Sequence, residues 1–411
     1  MTTLTPRDAR DVETAVRDAI GAGQPLEIVG HGTKRAIGHR AATNALLDMS
    51  ALAGVTSYEP SELILTVQAG VSVAEAERLL AGMNQEFAFE PMDTAALMGT
   101  PAGRGTIGGM IAAGLAGPRR VKAGGARDHL LGVAAVSGFG ESFKTGGRVV
   151  KNVTGYDLCK LVAGSWGTLS VMTEVTLKVM PKAESERTLV LRGLDEVSAG
   201  RAMGTALGSP FDVSGAAHVP ASSWRGTSAL SELAAGTALT LIRLEGIGAS
   251  VVHRAASLAA ELGSFAAADQ VTDGVSREAW RALRDALPFA ANGPLGAWPV
   301  WRIVCPPAAG PAFGQRLARE TGGDLIYDWG GGLIWAALPP SRDAYAALVR
   351  ERAAAIGGHA MLVRASDALR ETVDVFPQLE AGVAALTARV KASFDPSDIL
   401  NRGRRARAVA A

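Results

Sequence analysis

The chain has 411 residues, long enough for two domains, and its 41 basic and 40 acidic side chains nearly cancel. No long basic run interleaves with aromatic residues, which argues against nucleic-acid binding, and the basic tail from Arg402 to Arg407 is more simply a solvated terminus. The two cysteines, Cys159 and Cys305, are too few for a disulfide framework or for an iron–sulfur cluster held by four thiolates.

Other patterns are equally restrictive. The sequence has no zinc-binding spacing, no signal-peptide pattern at its start and no run of about 18 apolar residues. We therefore expect a cytoplasmic protein with no metal site and no integral membrane segment. Any contact with the inner membrane is expected to run through partner proteins.

Taken in order, the chain begins with a predicted helix over 6–22 and a strand over 26–29. The strand runs into the turn Gly30-His31-Gly32-Thr33-Lys34, whose amides could converge on one anion. This turn is not a Rossmann fingerprint, because Arg35 occupies the place of the third glycine and no clear helix follows. A plain loop remains the competing interpretation.

A second strand–turn–helix unit follows. Strands are predicted over 44–49 and 63–67, and a helix over 70–82 with Ser72 as its N-cap and Glu75 at the capping-box spacing. The stretch 105–117 combines small residues with glycines at 108, 109, 114 and 117. It predicts either a helix packed tightly between sheets or a helix N-terminus that faces a phosphate.

The remainder of this region is predicted to be mostly strand. A loop over 91–101 precedes the glycine-rich stretch, and a hairpin over 130–137 and 141–144 turns about Gly138-Phe139-Gly140. A helix with an irregular start is predicted over 151–163, then a turn over 164–168 and a strand over 169–179. Pro181 closes the region.

Beyond Pro181 the chain becomes rich in alanine, and six of the seven tryptophans lie there. Two copies of a βαββαβ pattern are predicted, with a linking segment at 272–299 that contains a short helix near Trp280. The first copy has strands 188–192, 211–218, 238–245 and 264–271 and helices 195–207 and 249–262; the second has strands 300–305, 324–328, 333–338 and 359–364 and helices 310–320 and 342–356. Two ferredoxin-like halves could therefore share one antiparallel sheet.

Five motifs in order resemble the vanillyl-alcohol-oxidase type of FAD-binding oxidoreductases, and within it the FAD-binding subunits of glycolate oxidases. They are GHGTK (30–34), GTIGGMIAAGLAGP (105–118), RDHLLGV (127–133), the long stretch from KNVTGYD to VMP (151–181) and FDPSDILNRG (394–403). The resemblance implies an α+β fold with a two-subdomain PCMH-type FAD-binding domain at 1–181. It further implies an α+β, ferredoxin-like antiparallel cap at 182–385 and a C-terminal segment, 386–411, that returns to the first domain.

The resemblance also implies a set of FAD-binding residues. The pyrophosphate side would comprise Gly30, His31, Gly32, Thr33, Lys34, Thr106, Gly108, Gly109 and Gly114. The adenine and ribose side would comprise Gly164, Ser165, Gly167, Thr168 and Val171, and the isoalloxazine side Thr154, Gly155, Tyr156 and Asp157. Fixed amide dipoles would then offset the two charges of the pyrophosphate.

Some positions depart from the family pattern. Relatives that attach FAD covalently use a histidine where this chain has Thr33, while His31 stands two residues earlier. We therefore predict non-covalent FAD. Arg402 replaces a usual proline and Ser170 a usual glycine.

The resemblance leaves the catalytic residues unknown. Oxidation of a 2-hydroxy acid needs a base for the hydroxyl proton and a cation for the carboxylate. The cap lacks the histidine-rich, HxGDGN-like segment that serves substrate and metal in related catalytic subunits. Tyr156, His359 and Arg364 are candidates, and a structural role is the simpler interpretation of each.

The leading hypothesis is an FAD-binding subunit of a heteromeric glycolate oxidase, which converts glycolate to glyoxylate with a second flavin subunit and an iron–sulfur subunit. The alternative is a self-sufficient FAD oxidoreductase for another D-2-hydroxy acid or a sugar hydroxyl. A third possibility is a subunit that keeps the fold without a redox role.

Overall fold

The computed structural model describes residues 2–148, 155–224 and 227–405. Thr154 and the first part of the predicted helix over 151–163 lie outside the described residues. The last turn of that helix is present as Leu158–Val162.

The chain starts with a small parallel sheet. Its strands are β1 (Thr2–Leu4), β2 (Leu26–Val29) and β3 (Ala45–Asp48), in the order β1-β3-β2. Helix α1 (Ala9–Ala22) buries Val12 and Val16. The helix starts at Ala9 instead of residue 6, because the Asp8 carboxylate caps it by accepting from the Asp11 N–H.

A five-stranded antiparallel sheet completes this first part. Its strands are β4 (Val55–Glu59), β5 (Ile64–Gln68), β7 (Leu130–Ser137), β8 (Ser142–Gly146) and β9 (Ser170–Lys178), in the order β4-β5-β9-β7-β8, while β6 (Gln85–Glu86) pairs with β10 (Met180–Pro181). The helices are α2 (Val73–Ala81), α3 (Ala95–Met98), α4 (Ile107–Ala113), α5 (Arg120–Ala123), α6 (Ala126–His129) and α7 (Leu158–Val162). Strand β4 was not predicted from the sequence. None of its side chains is buried, so the strand does not alternate between buried apolar and exposed polar residues. The segment predicted as loop contains α3.

The second part contains the doubled pattern in one eight-stranded antiparallel sheet. Its strands are β11 (Ser185–Arg192), β12 (Val213–Val219), β13 (Leu239–Gly246), β14 (Ala268–Thr272), β15 (Val300–Val304), β16 (Asp324–Asp328), β17 (Leu333–Ala337) and β18 (His359–Arg364). The order is β14-β11-β13-β12-β16-β17-β15-β18, so two ferredoxin-like halves meet between β12 and β16 at His218 and Tyr327. The α+β fold with a ferredoxin-like second part is confirmed.

Among the described residues of this part and the tail, eight α-helices follow. They are α8 (Glu196–Gly208), α9 (Ser228–Ala234), α10 (Gly248–Leu262), α11 (Asp273–Arg284), α12 (Gly310–Thr321), α13 (Ala346–Ala354), α14 (Asp367–Thr372) and α15 (Ala381–Phe394). Helix α11 is longer than the short helix predicted near Trp280. It lies against β11, where the Trp280 indole N–H donates to the Thr188 hydroxyl at 2.7 Å.

One apolar core joins the two parts. Side chains of the first part, such as Ile37 and Leu97, share a cluster with Trp280, Trp329 and Trp335 of the second part. Ion pairs close the seam, since Arg243 binds Glu90 with two bonds of 2.8 Å, and Arg119 binds Glu245. Such buried pairs give geometric specificity more than net stability, so they fix how the cap lies on the first part.

The tail returns to the first part. The Leu26 N–H donates to the Ile399 carbonyl at 2.8 Å, and the Asn401 N–H donates to the Leu26 carbonyl at 2.9 Å. Before this contact, α15 stands with no buried residue, although Val383 and Leu386 are apolar. The tail is therefore attached at its end, whereas its helix faces solvent.

Candidate cofactor site

The main cleft lies in the first part, between the turn after β2, helix α4 and the start of β9. It contains about 780 Å³ of empty space, part of which is open to solvent. It is lined by Ile28, Val29, Gly30, His31, Gly32, Thr33, Lys34, Arg35, Met49, Ala69, Thr106, Gly108, Gly109, Ala112, Ala113, Trp166, Gly167, Ser170, Met172, Asn401 and Arg404. The lining thus comes from the first part and the tail, with no contribution from the described residues of 182–385.

The turn Gly30–Lys34 has free backbone donors. Gly32 adopts a left-handed φ of 73°, which reverses the chain directly after β2. Within the described chain, the amides of residues 31–34 make no backbone hydrogen bond, and the next amide to do so is Arg35, which donates to the Gly32 carbonyl. Such consecutive unbonded N–H groups suit an anionic ligand.

Positive charge surrounds this turn. Burial lowers the pKa of Lys34, and the nearby Asp93 carboxylate partly offsets this lowering. The Lys34 ammonium makes no ion pair with any described residue. Arg104 lies 3.1 Å from the His31 Nδ1, and burial together with this guanidinium lowers the pKa of His31. His31 is therefore neutral at pH 7, while Lys34 and Arg104 provide the charge.

Helix α4 corrects one of the two interpretations of the glycine-rich stretch. The Ile107 N–H donates to the Val71 carbonyl and the Gly108 N–H to the Ala69 carbonyl, both at 2.8 Å. The Gly109 N–H donates to the capping Thr106 hydroxyl at 3.2 Å. Because these amides are already bonded, the idea of a helix N-terminus that faces a phosphate is wrong, and tight packing is the right interpretation.

Gly30 and the glycines of this stretch allow neighbouring segments of the chain to approach one another closely. A Cβ at Gly108 would lie 2.9 Å from the Ala69 Cβ, and one at Gly30 would lie 2.5 Å from the Thr106 hydroxyl. Gly114 ends α4 with a φ of 63°, and a Cβ there would lie 3.4 Å from the Gly164 Cα. Gly30, Thr106, Gly108 and Gly109 thus line the cleft, whereas Gly114 lies behind it.

The segment 164–172 forms the opposite wall. Of the five residues predicted here, Gly167 lines the cleft, while Gly164, Ser165, Thr168 and Val171 do not. Gly164 and Trp166 donate their amides to α4, Thr168 bonds the Ser165 carbonyl, and Val171 is buried in the core under α1. The prediction missed Ser170, which lines the cleft with a buried hydroxyl that has no partner within the described chain.

The tail holds two walls of the cleft together. The Asn401 side chain accepts from the Ile28 N–H and donates to the Trp166 carbonyl, each at 2.8 Å. Arg404 donates to the carbonyls of Lys34 at 2.6 Å and Arg35 at 3.0 Å. Sequence reasoning quoted the motif that contains Asn401 but assigned it no role, because these contacts span more than 200 residues.

The three described residues predicted on the isoalloxazine side do not line the cleft. Gly155 has a φ of 77°, Tyr156 is 94% exposed, and the Asp157 carboxylate caps α7 by accepting from Lys160. Thr154 lies outside the described residues. A role for these four residues stays a prediction.

The three candidates for substrate chemistry also lie outside the cleft lining. Arg364 donates to the carbonyls of Leu97, Phe289, Leu295 and Trp298, so its guanidinium is structural. His359 starts β18 with an exposed side chain. Tyr156 points into solvent, and none of the three is positioned as a base or clamp in this cleft.

The cleft fits a dinucleotide. Its unbonded turn amides and Lys34 match a doubly charged pyrophosphate, and the buried Ser170 hydroxyl has no hydrogen-bond partner within the described chain. When bound, FAD would supply the hydride-accepting chemistry. Across 2–148, 155–224 and 227–405, no three His, Cys, Asp or Glu side chains gather as metal ligands, and no helix could cross a membrane.

Comparisons with known proteins agree with this site. Residues 2–146 match a family model described as an FAD binding domain. The chain is 32% identical to the glycolate oxidase subunit GlcE of Escherichia coli over 95% of both chains. It is also 34% identical to the glycolate oxidase subunit GlcD of Bacillus subtilis, over 33% of this chain and 27% of that protein.

The fold has solved neighbours as well. The structure of 4-ethylphenol oxidase from Gulosibacter chungangensis aligns with a TM-score of 0.72 over 99% of this chain and 89% of that one, at 16% identity. At this identity the likeness shows the fold alone. The two-part architecture described above is therefore also found in this solved structure.

Proposed function

We propose that this chain, which belongs to the family of the glycolate oxidase subunit GlcE, is the FAD-binding subunit of a heteromeric enzyme that oxidises glycolate to glyoxylate. The observation that carries the proposal is the identity of 32% over 95% of both chains. The cleft supports it, because its unbonded amides and unpaired Lys34 suit FAD. The identification of glycolate as the substrate rests on the name of this relative.

The proposal divides the labour between subunits. A second flavin subunit would carry the substrate site, and an iron–sulfur subunit would take the electrons onward. Two features of this chain support that division: its cleft has no lining from the described part of the cap, and its two cysteines cannot hold a cluster. We place the assembly in the cytoplasm, with any membrane contact made through the partner subunits.

We propose the following division of the chain: an FAD-binding domain at 1–181, a cap at 182–385 and a returning segment at 386–411. The sheets of the first domain end by Pro181, and the cap sheet begins at Ser185. Helix α15 crosses the second boundary. Tail residues Asn401 and Arg404 then contact the walls of the cleft.

FAD is proposed to bind without a covalent bond. Thr33 stands where the relatives that attach FAD covalently have a histidine. Acid precipitation of the purified chain tests this point directly. Flavin absorbance should stay in the supernatant, and yellow colour that remains in the washed pellet would contradict the proposal.

Helix α15 is the proposed contact with the second flavin subunit. Val383, Leu386 and Val390 recur at spacings of three and four residues on this helix, so they form one apolar stripe, in which Val383 is 51% and Leu386 58% exposed. Leu379, which is 44% exposed, lies just before the helix. The only charged residues of the helix are Arg389 and Lys391. We propose that an apolar surface of the partner subunit covers this stripe.

Co-expression tests the function and the contact together. The wild-type chain, co-purified with the second flavin subunit and the iron–sulfur subunit, should oxidise glycolate, and Leu386→Glu should reduce co-purification at least about tenfold because a charge enters the apolar stripe. Leu386→Glu should still bind FAD. As a matched control, Val252→Glu changes another exposed apolar residue, on α10, and should leave assembly unchanged; equal loss in both variants would contradict the contact.

A further inference from the structure

Two arginines without an acidic partner meet one tryptophan at the boundary between cap and first domain. Arg302 lies in β15 between Trp301 and Ile303, which pack into the core on the outer face of the sheet. Because side chains alternate along a strand, Arg302 projects from the inner face, toward the first domain. Its guanidinium carbon lies 5.1 Å from the centre of the Trp329 ring.

The second arginine comes from the first domain. Arg120 opens α5, and its guanidinium carbon lies 4.9 Å from the same Trp329 ring. The ring is held in place, since its indole N–H donates to the Gly117 carbonyl at 3.0 Å. Both guanidinium groups can stack on this indole and leave their N–H edges available.

Other arginines at this boundary are fully used. Arg243 binds Glu90 through two bonds, and Arg364 donates to four carbonyls. In contrast, the side chains of Arg120 and Arg302 make no hydrogen bond or ion pair with any described residue. Like charges brought together oppose each other, and the nearby Asp328 carboxylate makes no ion pair with either guanidinium group, so this arrangement favours an external anion.

The neighbouring groups keep the site positive. Burial, with a contribution from Arg120, lowers the pKa of Arg302 to about 10, so the guanidinium stays charged at neutral pH. The nearby Asp328 accepts from the Trp329 N–H, and burial raises the pKa of its carboxyl to about 7, which halves its negative charge there. His359 is on the same inner face, because Val304 pairs with His359 and Arg302 with Met361.

We propose that Arg302 and Arg120, which both contact Trp329, form a binding site for a small carboxylate such as glycolate. Their distances to one ring place the two guanidinium carbons no more than about 10 Å apart, and the N–H edge of each can donate to a carboxylate oxygen. The naming of a 2-hydroxy acid as ligand rests on the proposed function. None of these residues lines the FAD cleft, so the proposal concerns binding and includes no chemical step at this site.

The experiment is calorimetric titration of the FAD-loaded full chain with glycolate, and in parallel with glycolamide, its uncharged analogue. We expect the wild-type chain to bind glycolate and not glycolamide. Arg302→Gln should weaken glycolate binding at least about tenfold, and Arg302→Lys should fall between, because lysine keeps the charge but loses bidentate geometry. Arg316→Gln, which removes an exposed cap arginine from α12, should bind as the wild type does.

Further measurements distinguish a variant that fails to fold from one that folds but no longer binds glycolate. FAD content reports whether each variant is folded. If Arg302→Gln is not folded, Arg120→Gln, which changes an exposed side chain, takes its place in the titration. Absence of glycolate binding to the wild type, or equal binding to wild type and both glutamine variants, overturns the site. If the assembled enzyme fails to oxidise glycolate while arginine-dependent binding persists, the proposed function falls and the anion site stands.

Discussion

The two glycine-rich stretches of the first domain have similar composition and opposite uses. In the turn 30–34, four successive amides have no backbone partner and face the cleft. In the stretch that leads into α4, the amides of Ile107, Gly108 and Gly109 are all bonded inside the protein. A glycine in the sequence indicates close approach, and only its hydrogen-bond partners tell whether the neighbour is a ligand or another strand.

The largest effect should come from the packed stretch. Gly108→Val places a branched side chain 2.9 Å from the Ala69 Cβ and 3.0 Å from the Ala69 carbonyl, so we expect a loss of about 3 kcal/mol or more in the free energy of unfolding. Thermal or urea denaturation of the apo protein measures it. Gly204→Val is the control, because a Cβ at Gly204 meets nothing within 4 Å; similar losses in both variants would mean that packing at Gly108 is not special.

A substitution in the turn 30–34 should change the affinity for FAD and leave the stability of the apo protein nearly unchanged. Lys34→Gln removes the unpaired ammonium beside the proposed pyrophosphate site, and we expect FAD to bind about 10- to 100-fold more weakly. The apo melting temperature should change little, since burial opposes the charged form of Lys34. Lys144→Gln, on the exposed strand β8, serves as the control, and an unchanged FAD dissociation constant in Lys34→Gln would remove the turn from the site.

Backbone strain in the turn can be separated from its role in binding. Gly32→Ala and Gly193→Ala both force alanine into a left-handed conformation, with φ of 73° and 75°, and neither added Cβ is crowded. Each should cost about 1–2 kcal/mol in the free energy of unfolding. Gly32→Ala alone should also weaken FAD binding, because relief of the strain would turn the free amides away. Equal FAD affinities of the two variants would contradict a role of the turn 30–34 in FAD binding.

The smallest effect is a pH dependence of FAD affinity. Burial and Arg104 lower the pKa of His31 in the free protein, and a bound pyrophosphate would raise it. The bound state then takes up a proton, so affinity should increase by about two- to threefold as pH falls from about 7.5 to 5.5. His31→Gln should abolish this trend, and an unchanged slope in that variant would show that His31 does not face the phosphate.

The sequence was most informative where the structure repeats or alternates. The doubled βαββαβ pattern predicted the eight-stranded sheet, and Ser72 marked the start of α2 as predicted. The exposed strand β4 gave no periodic signal. Sequence reasoning also missed the short helix α9, although its buried Leu230, Leu233 and Ala234 have helical spacing. Turn glycines pointed to the cleft, but their roles depended on hydrogen-bond partners that the sequence does not show.

The residues that sequence reasoning missed depend on long-range contacts. Asn401 bridges Ile28 and Trp166, which are far away in the chain. Ser170 is recognisable only by its unpartnered hydroxyl, and Arg302 only by the absence of the acid that Arg243 has in Glu90. Such features belong to the assembled molecule, so no local pattern predicts them.

The most direct test of the account is anaerobic titration of the isolated, FAD-loaded chain with glycolate while the absorption of oxidised flavin is followed. We predict that the flavin stays oxidised in the chain alone and is reduced once the second flavin subunit is added, because no described cap residue lines the cleft. Stoichiometric bleaching of the isolated chain would contradict the account. It would show that this chain contains a complete site for glycolate oxidation.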